Sequence, residues 1–217
     1  LGTGMLWFGW FGFNAGSALA ANGTAAEAFV TTNTASAAAM LAWIFFDGVR
    51  GRKPSAMGGC IGAVVGLVAI TPAAGFVSVG ASIFIGTVSS IISNIAVHWK
   101  SKSRLDDTLD VFPCHGIGGI VGMICTGIFA REVGLIAGET ETFFHHLIAL
   151  VGVIIFSFVG SYLIYKITNM IVPLRVSKEE ELAGLDLSQH GEFSDPLLAV
   201  STIQSSAKVQ AEIVINS

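Results

Sequence analysis

The chain has 217 residues, of which 53% are hydrophobic and only 12% charged, with a formal net charge of −4. A soluble domain carries about a quarter charged residues, so this deficit, combined with long uncharged runs, excludes a water-soluble globular protein and reads as a polytopic membrane protein. Basic residues come in twos and threes beside apolar runs rather than as a stripe, which leaves no surface for a nucleic acid.

Residue 1 is Leu, and no basic segment or cleavage site precedes the first apolar run, so the start reads as a cut edge of something longer. The apolar pattern predicts six spans, an all-α membrane fold. The first covers residues 2–20 and ends at the turn Asn22-Gly23-Thr24. The second covers residues 27–46 and is stopped by Asp47-Gly48, before a basic loop of Arg50, Arg52, Lys53 and Pro54. The third, residues 56–70, looks short and is closed by Thr71-Pro72. The fourth covers residues 76–97 and leads into a second basic loop with Lys100, Lys102 and Arg104. The fifth covers residues 109–130, after an acidic cluster of Asp106, Asp107 and Asp110. The sixth covers residues 143–171, behind a loop bearing Glu132, Glu139 and Glu141.

Lys and Arg set the orientation. The loops after spans two and four carry three basic residues each, whereas the loops after spans one and three carry none. Both ends of the chain are therefore expected to be cytoplasmic. Residues 1–171 are read as the membrane domain and residues 172–217, where Glu179, Glu180, Glu181, Asp186 and Glu192 appear, as a cytoplasmic tail. Within that tail, residues 184–192 are expected to be ordered and residues 194–217 mobile.

Small residues recur four apart at Gly12/Gly16, Gly58/Gly62/Gly66 and Gly118/Gly122, a spacing that lets helix backbones approach closely. Trp10, Phe13 and Ser17 fall at helical spacing with Asn14 beside them. Aromatic rings followed by a hydroxyl suit a small cation, through cation–π attraction and an accepted hydrogen bond; an interfacial aromatic belt with a capping serine has the same pattern. His115 is an ionisable group inside a span, which is costly and marks a functional position by default. Burial is expected to keep it neutral, fit for proton relay or for bonding a small polar solute. A regular helix would put Gly118, Gly119 and Gly122 on its face. Asp110 reads either as an anchor at the helix start, where the macrodipole favours negative charge, or as a near-pore group. His145 and His146 read as interfacial. Cys60, Cys114 and Cys125 sit in apolar runs without metal-ligand spacing. No metal, cofactor or enzymatic centre is expected.

Two stretches, LWFGWFGFNAGSA at residues 6–18 and DDTLDVFPCHGIGGIVGMICTGIFA at residues 106–130, resemble signature spans of the ammonium transporter (Amt/MEP/Rh) family. The tail piece GLDLSQHGE at residues 184–192 is similar to the end of its bacterial members. The resemblance implies an eleven-helix transporter of the inner (plasma) membrane whose first ten spans form two inverted repeats. This chain would be the second repeat plus the last helix. It further implies a homotrimer with a hydrophobic pore per subunit, which recruits ammonium at an outer aromatic site, deprotonates it and passes ammonia down the pore. By position in the motifs, Trp10, Phe13 and Ser17 match the outer site and gate, His115 matches the second of two pore histidines, and Asp110 matches the acidic residue that opens the span. The resemblance also points to a PII-type signalling protein as a cytoplasmic partner. Pro113-Cys114 stands where Gly-Val is often found, and Phe193-Ser194 where Ala-Tyr is usual. An ammonium sensor of the same fold and a Rhesus-type channel for gas or small solutes are the alternatives, and the fragment alone is expected to be inactive.

Overall fold

Every regular element of the computed structural model, which describes residues 1–192, is helical. The helices are α1 (Gly2–Ala15), α2 (Gly23–Val49), α3 (Ala56–Ile70), α4 (Val79–Lys100), α5 (Gly118–Phe129), α6 (Glu141–Ile171) and α7 (Lys178–Ala183). A π-helical turn, Phe112–Ile117, runs directly into α5. The expectation for residues 194–217 lies outside the described residues.

Local chemistry explains where the helices begin. Asn22, Ser55 and Ser78 each accept a bond from the backbone N–H three residues on, at Ala25, Gly58 and Ala81. These are N-caps, which satisfy a donor that the first helical turn leaves orphaned. The cap at Ser78 starts α4 later than the expected residue 76, because residues 71–77 form turns. At the other end of α2 the expected stop at Asp47-Gly48 does not occur: the helix continues to Val49, with Asp47 buried inside it. α2, α4, the combined helix Phe112–Phe129 and α6 are long and apolar enough to cross a bilayer. α1 and α3, with 14 and 15 residues, fall short of the roughly 20 that a bilayer core needs.

The chain divides into two units, Leu1–Phe156 and Ser157–Ser217. The core of the first lies between α2, α3 and α4, and glycine makes it. A Cβ on Gly66 of α3 would stand 2.5 Å from the Ala35 carbonyl oxygen, and one on Gly86 of α4 would stand 2.2 Å from the same atom. α5 packs on α3 in the same manner: a Cβ on Gly122 would meet the Ala69 carbonyl oxygen at 2.1 Å. The motifs Gly58/Gly62/Gly66 and Gly118/Gly122 are thus close-packing surfaces. Gly12 of α1 and Gly16 just after it, at the same spacing, have nothing within 4 Å of the side chain they lack.

Polar side chains tie these helices together. Ser36 donates to the Ala63 carbonyl at 2.9 Å, Ser90 to the Ala39 carbonyl at 2.7 Å, and Thr34 pairs with Ser82 at 2.6 Å. Hydroxyl bonds of this kind hold helices together where lipid supplies no hydrophobic drive between them. Near the C-terminal end of α2, the amide of the buried Asn94 donates to Asp47 at 3.0 Å, and Arg52 lies 3.6 Å from the same carboxylate. Arg131, after α5, forms an ion pair with Glu27 of α2 and also donates to the Val77 carbonyl at 3.3 Å.

The second unit holds residues 157–171 of α6, then α7 and a π-helical turn at Asp186–His190. α7 opens with a capping box, Ser177 bonding the Glu180 N–H and Glu180 returning to the Ser177 N–H. That bond to the Ser177 backbone holds the Glu180 carboxyl below its ordinary range. Within residues 184–192, Asp186–His190 form this regular turn.

Candidate functional site

α1 presents an aromatic pair and a hydroxyl. The rings of Trp10 and Phe13 lie 5.6 Å apart at 54°, a tilted contact of the kind aromatic pairs favour. The Trp10 indole N–H donates to Thr71, the residue that follows α3, at 2.8 Å, which fixes the ring plane. Phe13 is 62% exposed. Ser17, exposed in the turn after α1, donates its hydroxyl to the Phe13 carbonyl at 2.5 Å, so the lone pairs of that oxygen remain available to a cation. Asn14 behaves differently: it is buried and donates to Thr32 of α2 at 2.9 Å. The structure thus brings together Trp10 and Phe13 of α1 and Ser17 of the turn that follows it, and assigns Asn14 to docking that helix on α2.

His115 sits in the π-helical turn and is exposed, although burial is the expectation for an ionisable group inside a span. The shared face with Gly118 and Gly122 is also corrected. Those glycines are buried, Gly122 against Ala69 and Gly118 within reach of Val65, Val68 and Ser93. Pro113 and Cys114 are buried with them, whereas His115 is exposed. The reason is geometric, because a π turn holds more residues than the 3.6 on which same-face spacing rests.

The entry to this turn is a charge cluster in which the anchoring role considered for Asp110 falls to its neighbour. Asp107, not Asp110, caps the helix: its two carboxylate oxygens accept from the Val111 and Phe112 N–H groups, each at 2.9 Å. Burial opposes the Asp107 charge, yet these two backbone bonds, with Lys100 nearby, hold its carboxyl below the ordinary range. Asp110 instead pairs with Lys100 at 2.5 Å, and the same ammonium donates to the Asp107 carbonyl at 2.5 Å. Asp110 adopts φ 53°, a left-handed conformation that Asp tolerates better than most residues. His145 and His146 lie in the first turns of α6; His145 is 3.9 Å from Glu141, and the His146 ring is bonded to the Thr142 carbonyl at 2.8 Å.

Sequence reasoning missed the Asp47–Asn94–Arg52 cluster. A single Asn in an apolar helix has no spacing partner to betray it; the only available signal was its cost in lipid.

The Ammonium Transporter Family profile matches residues 1–195. The chain is 44% identical over 200 residues to an ammonium transporter of Bacillus subtilis, covering 88% of this chain and 50% of that protein. It is 46% identical over 198 residues to one from Aquifex aeolicus, covering 88% and 47%. It therefore spans about half the length of the curated relatives it matches. Among solved structures, Candida albicans Mep2 superposes with a TM-score of 0.79 at 37% identity over 90% of this chain and 47% of that one. A structure described as a sensor Amt protein superposes with a TM-score of 0.77 at 31% identity, over 87% and 48%. The family is one of membrane transporters rather than enzymes, and with its apolar helices, its glycine-packed core and these matches the chain belongs to it: it is a multi-pass, all-α member of the ammonium transporter family.

Proposed function

We propose that this chain is one half of an ammonium-conducting subunit. Trp10, Phe13 and Ser17 form the outer site, and His115 is a proton-relay group in the pore. The observation that carries the reading is where polar groups end up. Asn14, Ser36, Ser90 and Asn94 are buried and bonded within the chain, whereas Ser17 and His115 are exposed, with the Ser17 oxygen still able to accept. Ammonium bound against the two rings gains cation–π attraction, and the Ser17 oxygen accepts one of its N–H bonds. Loss of one proton leaves ammonia, whose neutrality lets it enter an apolar passage where an ion would be expensive. A neutral imidazole has one donor and one acceptor nitrogen, so His115 can take a proton on one side and release it on the other.

In the inverted-repeat architecture the path lies between the two halves. Residues 1–217 supply one wall, and liposomes holding only this chain should show no ammonium uptake above background. In the complete subunit, His115→Ala should abolish ammonium uptake or alter its selectivity while the protein keeps its oligomeric size. Unchanged uptake and selectivity would remove His115 from the mechanism. An ammonium sensor of the same fold is the second reading, favoured by the superposition on the sensor Amt protein; a complete subunit that binds ammonium without conducting it would select it.

The membrane domain is residues 1–171 and the tail residues 172–217, both chain ends cytoplasmic, in a homotrimer of the inner membrane whose cytoplasmic face is open to a PII-type protein. The Lys and Arg asymmetry of the loops supports this orientation. A cysteine at Thr140 should react with an impermeant reagent from outside and one at Ser103 should not; the reverse pattern would invert the topology.

A further inference from the structure

The π-helical turn lies between two anchors that do not share a helical register. Downstream, α5 is fixed hard. Gly122 touches the α3 backbone, and Gly118, Gly122 and Cys125 continue one buried stripe. No rotation of α5 is available without lifting it off α3. Upstream, the chain is fixed by Lys100. Its ammonium bonds the Asp107 carbonyl and pairs with the Asp110 carboxylate, both at 2.5 Å, so that it staples the two ends of the turn 107–110. Asp107 closes the same turn by capping Val111 and Phe112, and the Cys114 N–H already donates to the Asp110 carbonyl at 3.0 Å. The residues between these anchors exceed what a regular helix would hold, and the surplus is absorbed as the wide turn Phe112–Ile117. Gly116 leaves room for the Phe112 ring, whose edge would stand 2.9 Å from a Cβ there.

We propose that Lys100 and Asp110 are positioning residues whose ion pair sets the register of the π-helical turn and thereby holds His115 out of the buried stripe. Each residue of register is about 100° of rotation on a helix. If the upstream anchor is released, Asp110 can leave its left-handed conformation and the surplus residue passes into the loop. The turn then rewinds to regular helix, and His115 swings toward the face of Gly118 and Gly122, against α3 and α4. Lys100 touches neither solute nor proton in this account; it acts through the direction of the imidazole. Its consequence for conduction rests on the role proposed for His115, whereas its consequence for the turn does not.

The test is Lys100→Met in the complete subunit, with Asp110→Asn as a second release that keeps a residue tolerant of positive φ, and Lys100→Arg as the conservative control. Two quantities are read, ammonium uptake into liposomes and the conformation of residues 112–117 by electron cryomicroscopy. The expected result is a regular helix at the turn in both release variants, with uptake reduced roughly ten- to hundredfold, as misplacement of a reacting group produces. Lys100→Arg should keep the turn and most of the uptake. A π-helical turn intact in Lys100→Met and Asp110→Asn overturns the inference, whatever uptake does. A turn that relaxes while uptake stays unchanged supports the register role and instead overturns the role of His115 in conduction.

Discussion

The seam between α2, α3 and α4 and the open side carried by α1 and the π-helical turn use the same residue types to opposite ends. In the seam, glycines four apart meet the backbone of a neighbouring helix, and hydroxyls and amides find partners within the chain. On the open side, Gly12 and Gly16 face nothing within 4 Å, Phe13 is exposed, and the His115 ring is left uncovered. A small-residue motif or a buried-looking histidine therefore has no meaning by itself; its meaning comes from which neighbour reaches it. The seam is completed by the described residues, and the open side is where a second wall would have to come.

The strongest way to break this contrast is to put a side chain into the seam. Gly86→Val should prevent folding outright, because a Cβ there would lie 2.2 Å from a backbone carbonyl oxygen with no side chain to yield. Recovery of a monodisperse, normally helical variant in detergent would mean that the close approach is dispensable. Next in size is Asn94→Ala, which removes the buried donor on Asp47 and should lower stability by about 1–3 kcal/mol. Thermal unfolding in detergent reads this directly, and an unchanged midpoint would show Arg52 to be sufficient. The smallest effect is expected at Gly12→Val in the 217-residue chain, within about 0.5 kcal/mol of no change. The same substitution in the complete subunit sharpens the contrast, since a covered α1 should then respond as the seam does.

Much of the fold was legible because membrane helices announce themselves by composition. α3 begins and ends at the expected residues 56 and 70, since a serine cap and a Thr-Pro pair flank it. What failed to read was whatever depends on a partner distant in sequence. Asp47 has the look of a helix stop until Asn94, from another helix, is seen to hold it inside one. Asp107 and Asp110 are equivalent by position, and only the direction of the Lys100 side chain separates the cap from the ion pair. The face of His115 was misread because periodicity assumes 3.6 residues per turn, and no pattern of apolar residues reveals a turn wound more loosely. Within the candidate site, the grouping of Trp10, Phe13 and Ser17 followed from spacing, while the inward role of Asn14 required Thr32.

The carbonyl of Ala35 is approached from two sides, by Gly66 of α3 and by Gly86 of α4. A junction made of backbone has no rotamers to exchange, and rotamer exchange is how packed helices slide in small steps while keeping contact. Three helices that meet through main-chain atoms behave mechanically as one stiff strut. Internal motion is thereby directed to the parts attached to that strut, such as aromatic rings and the wide turn, whose displacements need only change side-chain torsions or helix winding.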